Sequence, residues 1–415
     1  MNLKTTIVLA GVLCLGFGVE AAWATGGVTL GEALQQALTR HPALAAAAAE
    51  IDAREGAATQ AGLLPNPAVE VEFEELGGPG GFDALETTLS LSQDIELGGK
   101  RPRRQEAARL QASLARADGE IRRLDLEAEV TTAFYTALAA QEKAKLQEEL
   151  VGIATDSLDT VAERVKAGKV SPIEETQAKL EMAAASIELR RSWAGWGAAR
   201  SALAATWGGT GEELAVLDGR LDELPQAPSL EELTAALPTT PALARWNTEI
   251  ALGEATRELE RAGSVPDLGL TGGVRTLNID NTTTFLVAIS MPLPLFDRNQ
   301  GAVAEATAGL ARTRAERLST ERGLRAEVEA VHQEMAAARE EAEALRDTLL
   351  PGAREAYEAI REGYQWGKFE YLALLDAQRT LLEARGQLVD ATAAFHLARV
   401  RLDRLTTTSV ASENP

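Results

Sequence analysis

The C-terminal part of the chain repeats apolar residues at intervals of seven over more than four heptads. One series is Leu374, Leu381, Leu388, Phe395 and Leu402, and its companion is Ala377, Ala384, Ala391, Ala398 and Leu405. Spacings that alternate between three and four are typical of a coiled-coil seam, and small alanines let two helices approach closely. The chain must therefore form a long helix that packs lengthwise against other helices.

The first half of the chain carries a similar series over an even longer stretch. Its members are Leu110, Leu114, Ala117, Ile121, Leu124, Ala128, Thr131, Tyr135 and Leu138. We predict one helix over about 99–166 and a counterpart over about 297–365, each roughly 100 Å long at 1.5 Å per residue. Shorter helices are predicted at about 29–62, 172–207 and 371–406. The two helices of roughly 100 Å are longer than a globular domain needs.

The two halves of the chain repeat each other at an offset of about 199 residues. The segment "HPAL" at 41–44 corresponds to "TPAL" at 240–243, and "AGKVSP" at 167–172 corresponds to "WGKFEY" at 366–371. Each half has the order helix, strand pair, very long helix, Gly-Lys tip turn, helix, which indicates an internal duplication. We predict a first repeat over 25–207, a crossover over 208–240, a second repeat over 241–407 and a tail over 408–415.

Four segments alternate apolar and polar residues as β-strands do, at about 66–76, 84–96, 266–276 and 282–293. The first contains "VEVEFEEL", in which Val69, Val71 and Phe73 alternate with three glutamates. The candidate acids on the polar faces are Glu70, Glu72, Glu74, Glu86, Asp94 and Glu96. A soluble sandwich is one interpretation. Tilted outer-membrane strands are the other, which the long helices favour. Four strands cannot close a barrel alone, but three copies would give twelve strands, enough for a closed barrel with an open lumen.

The N-terminus has the features of an export signal. Lys4 precedes an apolar run that ends in the A-x-A site Ala22-Trp23-Ala24, so residues 1–24 are predicted to be a signal peptide. The only cysteine, Cys14, follows Leu13 rather than a small residue, which disfavours lipidation. No later apolar run reaches the length of a membrane-spanning helix.

Composition argues against several function classes. A net charge of −21 disfavours nucleic-acid binding. The sequence contains no catalytic triad, phosphate loop or cofactor motif, so we expect no enzyme activity and no cofactor. Three histidines and four methionines stand without ligand spacing, and no cysteine follows the predicted signal peptide, so no metal site is predicted. Carboxylates lining a water-filled lumen would instead raise the local cation concentration without closing a coordination shell.

Three segments resemble a known family. The chain is similar over its mature length to the TolC-type outer-membrane efflux proteins, and "LSQDIELGGKRPRRQEAA" (91–108) resembles their CzcC-like heavy-metal branch. The segments "MPLPLFDRNQG" (291–301) and "GYQWGKFEYLALLDAQRTLLEAR" (363–385) resemble signatures of the whole family. The resemblance implies a homotrimeric duct, in which a 12-stranded β-barrel in the outer membrane continues as an α-helical coiled-coil barrel into the periplasm.

The resemblance also implies partners and roles. An inner-membrane pump of the resistance-nodulation-division class and a periplasmic adaptor would assemble with the duct at its helical tips. The candidate adaptor contacts are Gly168, Lys169, Val170, Ser171, Gly367, Lys368, Phe369 and Glu370. Asp376 matches one acidic position of the family's periplasmic gate. Ala373 occupies the other, so Glu370, Glu174 or Glu175 would have to supply the second acid.

The expected function is export of heavy-metal cations from periplasm or cytoplasm to the exterior. Two alternatives stay open from the sequence. The same duct could serve multidrug efflux or type I protein secretion, or the chain could be a soluble periplasmic coiled-coil scaffold.

Overall fold

The computed structural model describes residues 27–75, 85–278 and 280–407. The predicted signal peptide, Cys14 and the tail over 408–415 lie outside these ranges. In the first half the elements are β1 (Val28–Thr29), α1 (Leu30–Arg40), α2 (Pro42–Ala61), β2 (Ala68–Glu74), β3 (Glu86–Ile95), α3 (Lys100–Lys166) and α4 (Pro172–Ala205).

The second half has the same order after a short crossover. Its elements are β4 (Leu217–Asp218), α5 (Leu230–Ala236), α6 (Pro241–Gly263), β5 (Leu268–Leu277), β6 (Thr282–Ser290), α7 (Gln300–Ala344), α8 (Leu350–Gln365) and α9 (Tyr371–Thr406). Within the described residues, no helix combines the length and the apolar character needed to cross a membrane.

The predicted seam of α9 is buried within the chain. Four of its leucine and phenylalanine positions and four of its alanines are buried, namely Leu374, Leu381, Phe395, Leu402, Ala377, Ala384, Ala391 and Ala398. They pack against α3, α7 and α8. Each large apolar side chain removed from water contributes roughly 1.5–3 kcal/mol. The heptad pattern therefore predicted the packing of this helix correctly.

Two segments that were each predicted to form one continuous helix are interrupted in the structure. The segment 29–62 is broken at His41, whose Nδ1 accepts from the amide of Ala43 while Pro42 begins α2. The segment 297–365 starts at Gln300 and contains a π turn over Leu345–Leu349. Pro351 follows this turn; it has no N–H to donate, and its ring would crowd the preceding turn of a regular α-helix.

One four-stranded antiparallel sheet joins the two halves, in the order β2-β3-β5-β6. The central pair is β3 with β5, so one strand of each half lies in the middle and one at each edge. Each strand is one to four residues shorter than predicted, and β5 ends one residue later than predicted, at Leu277. Neither edge strand pairs with a further strand among the described residues, so this sheet has two unpaired edges.

The crossover packs as a strap across the helices. Its strand β4 pairs in parallel with β1, a pairing that the sequence did not predict. The side-chain amide of Gln141 on α3 accepts from the Leu217 amide at 2.8 Å and donates to its carbonyl at 3.0 Å. The imidazole of His396 on α9 is 3.1 Å from the carbonyl of Leu221. Two buried polar side chains therefore hold the strap in place.

Candidate functional site

The register of the sheet separates two chemically different faces. Across the four strands Val71, Leu89, Val274 and Phe285 are aligned on one face. The neighbouring row, shifted by one residue, aligns a glutamate, a threonine, an arginine and a threonine on the other face. The alternation seen in each separate strand is thus continuous over the whole sheet.

The apolar face is exposed in the single chain. Its exposed members are Val69, Val71, Phe73, Leu89, Leu91, Leu270, Phe285, Val287 and Ile289. Phe285 is 88% exposed and Val287 is 81% exposed, values that are unusual for large apolar side chains in a contiguous patch. Among residues 27–75, 85–278 and 280–407, no second layer covers the patch, as a soluble sandwich would require.

Five of the six candidate acids lie on the opposite face. In the strand register, these acids belong to the rows of paired residues that face away from the apolar patch: Glu70, Glu72, Glu74, Glu86 and Asp94. A residue that the sequence analysis missed, Arg275, reaches two of them: its guanidinium is 3.3 Å from both Glu74 and Glu86.

Arg275 changes where the negative charge is concentrated. It partly neutralises the loop end of the face and also donates to the Thr88 hydroxyl at 3.1 Å. Glu70 and Glu72 have no ion pair within the part of the chain that the structure describes. Asp94 on β3 likewise has no ion pair there, so the unpaired carboxylates of this face are Glu70 and Glu72 on β2 and Asp94 on β3.

The sixth candidate acid, Glu96, has a structural contact. Its carboxylate accepts from the guanidinium of Arg104, which also donates to the carbonyls of Ala61 and Leu63 at the end of α2. This arginine joins β3, α3 and α2 at the base of the sheet. Its partner could not be predicted because the contact depends on the tertiary arrangement.

The two tip turns are built alike. Gly168 and Gly367 have φ angles of +67° and +73°, in the left-handed region that glycine adopts without strain. In each turn the amide of the next lysine donates to the carbonyl five residues back, at 2.9 and 2.8 Å. This pattern ends a helix in a sharp reversal. The remaining candidate contacts, Lys169, Val170, Ser171, Lys368, Phe369 and Glu370, lie in the same turns, and all but Val170 are exposed.

The tips of the two halves are tied together by Arg164 and Tyr364. The guanidinium of Arg164 lies 4.2 Å from the centre of the Tyr364 ring and donates to the carbonyl of the same residue. The Tyr364 hydroxyl donates to Glu174 at 3.4 Å. Burial, with nearby carboxylates, raises the pKa of the neighbouring Tyr371 to about 12, so this ring stays neutral. Tyr364 lies three residues before Gly367 and Arg164 four residues before Gly168, and neither position by itself predicted their contact.

The candidate gate acids have different environments. Asp376 is exposed on α9, and Glu370 is the N-cap residue of that helix. Glu174 accepts from Tyr364, and Glu175 forms an ion pair with Lys179 at 2.5 Å. The structure therefore leaves Asp376 and Glu370 as the exposed acids of this group.

Metal-ligating residues are dispersed over the described ranges. No group of three or more His, Cys, Asp or Glu side chains there is arranged to hold a metal ion. His396 is buried, and its ring stacks on Tyr135 with a centroid distance of 4.3 Å. This histidine serves in packing and in holding the strap.

The sequence profile of one protein family, described as "Outer membrane efflux protein", matches the chain twice, over residues 33–209 and 233–408. The chain belongs to this family. The outer-membrane efflux proteins include relatives named for metal resistance. The cobalt-zinc-cadmium resistance protein CzcC of Cupriavidus metallidurans is 35% identical over 382 residues, which cover 92% of this chain and 90% of CzcC.

Other similarities agree in family and fold. The nickel-cobalt-cadmium resistance protein NccC of Alcaligenes xylosoxydans is 30% identical over 330 residues, covering 78% of this chain and 74% of that protein. Crystal structures of CusC match with a TM-score of 0.76 at 18% identity, over 91% of both chains. The likeness to CusC shows the fold. The resemblance expected from the sequence is therefore confirmed, and the chain is an outer-membrane efflux channel protein.

Proposed function

We propose that this outer-membrane efflux protein is the duct of a tripartite system that exports heavy-metal cations. The observation that carries the proposal is the match to CzcC at 35% identity over nearly the full length of both chains. A second relative, NccC, is likewise named for resistance to divalent metals. Glu70 and Glu72 add a physical reason, because uncompensated carboxylates beside water attract cations.

The proposed duct is a homotrimer with a closed 12-stranded barrel. Both edge strands of the four-stranded sheet lack a neighbour in the part of the chain that the structure describes, and identical copies joined edge to edge would pair them. The exposed valines, leucines and Phe285 would then face lipid while the glutamates line the lumen. On α4, Ile173, Leu180 and Ile187 are exposed at intervals of seven, which suits packing against a second copy.

The proposed barrel is consistent with a chain whose two halves descend from one ancestral unit by duplication. The family profile matches each half separately, which supports an internal duplication with repeats over 25–207 and 241–407 and a crossover over 208–240. Each half then supplies two strands and one hairpin of long helices.

The proposed route of the metal uses weak sites only. Carboxylates repeated by three-fold symmetry would raise the cation concentration in the lumen, and a closed coordination shell would slow release. The choice of metal would accordingly be made by the inner-membrane pump of the resistance-nodulation-division class. A periplasmic adaptor would contact the tip turns around Gly168 and Gly367, and Asp376 would contribute to the constriction nearby.

A susceptibility panel on a deletion strain and its complemented partner tests this function. The panel covers zinc, cobalt, cadmium, nickel, copper and silver salts beside hydrophobic antibiotics and dyes. We expect the deletion to sensitise cells to one or a few metals and complementation to restore tolerance. Sensitivity to drugs with unchanged metal tolerance would replace the metal assignment by a multidrug duct. Recovery of the chain in the soluble periplasmic fraction would indicate a scaffold.

A further inference from the structure

Cationic side chains gather where the sheet meets the helices, although the whole chain carries a formal charge of −21. The first turn and a half of α3 reads "KRPRR" over residues 100–104, and Arg298 lies two residues before α7. Arg101 and Arg298 are exposed and make no ion pair within the described ranges. The junction thus has free positive charge in an acidic protein.

A second group of arginines stands at the same junction. Glu258 on α6 forms ion pairs with Arg103 at 3.3 Å, Arg257 at 3.1 Å and Arg261 at 2.9 Å. One carboxylate therefore serves three guanidinium groups, while two further acids of the junction, Glu260 and Asp297, contact Asn299 and form no ion pair in the described residues. We define the basic collar as Arg101, Arg103, Arg257, Arg261 and Arg298.

An exposed apolar segment lies directly beside the collar. It is the stretch 291–296, which continues from the end of β6 towards the helices. Leu293, Leu295 and Phe296 are 71%, 65% and 92% exposed. An open cleft at this point is lined by Leu293 and Phe296 together with Lys100, Asp267 and Asp297, and Lys100 forms an ion pair with Asp267 at 2.8 Å. Apolar and cationic groups therefore share one surface.

The two long helices add to the positive potential. Both α3 and α7 begin after residues in the left-handed conformation, Gly99 and Asn299, and neither helix has a side-chain cap. Uncapped first-turn amides and the positive end of each helix dipole favour an anion. The opposite end of the sheet instead carries Glu74, Glu75 and Glu86.

We propose that the basic collar binds the phosphate groups of anionic phospholipids in the periplasmic leaflet of the outer membrane. Leu293, Leu295 and Phe296 lie at the acyl-chain boundary, where exposed aromatic and aliphatic side chains anchor proteins. Basic residues that flank an apolar membrane band attract anionic lipid by about 1 kcal/mol per charge. The inference rests on the proposed trimeric barrel, which places this junction at the membrane surface.

The test measures lipid binding to the detergent-purified trimer by native mass spectrometry. The probes are dioctanoyl-phosphatidylglycerol and, as the zwitterionic comparison, dioctanoyl-phosphatidylcholine. The variant is R101Q/R298Q, and its matched control is R322Q/R354Q, which removes two exposed arginines on α7 and α8 that make no ion pair in the described residues. A charge-preserving variant, R101K/R298K, reports whether the side-chain positions tolerate change.

The wild type should prefer phosphatidylglycerol, and R101Q/R298Q should weaken that binding about thirty-fold, the loss for two charges at about 1 kcal/mol each. The control and the lysine variant should bind almost as the wild type does. Equal affinity of the wild type for both lipids, or unchanged binding in R101Q/R298Q, would overturn the proposal.

Assembly and salt dependence give independent readouts. If R101Q/R298Q does not form trimers, the proposal is tested instead by comparing phosphatidylglycerol binding to the wild type at 0.1 M and 1 M NaCl. Binding through charge should weaken at the higher concentration, because the screening length falls from about 10 Å to about 3 Å. Phosphatidylglycerol binding that does not weaken in high salt would also overturn the proposal that the basic collar binds phosphate groups. Failure of the proposed duct would look different, since no trimer would then be found in the outer membrane at all.

Discussion

At the residue scale, His396 is the titratable group whose environment most clearly predicts a pH effect. It is 3% exposed, and the short distance from Nε2 to the Leu221 carbonyl requires that Nε2 carries the proton and donates it. Nδ1 is buried without a hydrogen-bond partner among the described residues. Burial lowers the pKa of His396, and the charge of Arg399 acts in the same direction, while the bond to Leu221 and the nearby Glu223 and Asp222 oppose them.

The lowered pKa gives stability a definite dependence on pH. Because the unfolded chain binds the proton more readily, this contribution is complete above the ordinary pKa of about 6.5 and is lost as pH falls through the lower folded value. We expect the melting temperature of the wild type to fall between pH 7.5 and 5 by more than that of His396→Gln. At pH 7.5 the substitution should itself cost about 0.5–1.5 kcal/mol, because the glutamine amide can still donate to the Leu221 carbonyl but the ring stacked on Tyr135 is lost.

A matched control separates this effect from the many carboxylates of the chain. His332 makes a similar contact to the Pro228 carbonyl at 3.2 Å but is only partly buried. His332→Gln should leave the pH dependence of the melting temperature as in the wild type. Parallel curves for the wild type and His396→Gln would show that His396 is not responsible.

At the element scale, neighbouring positions of β6 lie on opposite faces of the sheet and should therefore differ in whether they tolerate a charged side chain. Val287 lies in the apolar face and Ala288 in the polar one, and both are exposed in the single chain. An arginine on a lipid face costs about 2–4 kcal/mol near the membrane centre, whereas one facing the lumen is tolerated. We expect Val287→Arg to reduce the trimer in the outer-membrane fraction strongly and Ala288→Arg to assemble normally. Equal amounts of both variants would contradict the assignment of the faces.

The elements also show how much the sequence could predict. The seam through Leu374 and Phe395 and the alternation around Val71 are local periodic patterns, so both were predicted together with their buried or exposed sides. The break at His41 and the π turn before Pro351 were missed because short interruptions hardly disturb the surrounding periodicity. The ion pairs of Arg275 and Arg104 join residues from different elements, and no local pattern reports such contacts.

At the scale of the whole molecule, the fold divides the chain by chemistry. Its helices bury their own seams, while the sheet leaves one apolar face exposed and both edge strands unpaired among the described residues; in the proposed trimer, lipid and other copies would cover them. The tip turns, where both helical hairpins reverse, form the other end of each half. An exposed apolar face and unpaired strand edges disfavour a single copy of the chain in water, which agrees with its membership of an outer-membrane family.

The most direct test of metal export is the amount of metal that loaded cells retain. Cells of the deletion strain carrying the wild type, Val287→Arg or no gene are loaded with zinc, cobalt and cadmium, and retained metal is measured over time. We predict that the wild type lowers retention of at least one of the three metals and that Val287→Arg resembles the empty strain. Unchanged retention of all three metals, with wild-type trimer present in the outer membrane, would contradict the account.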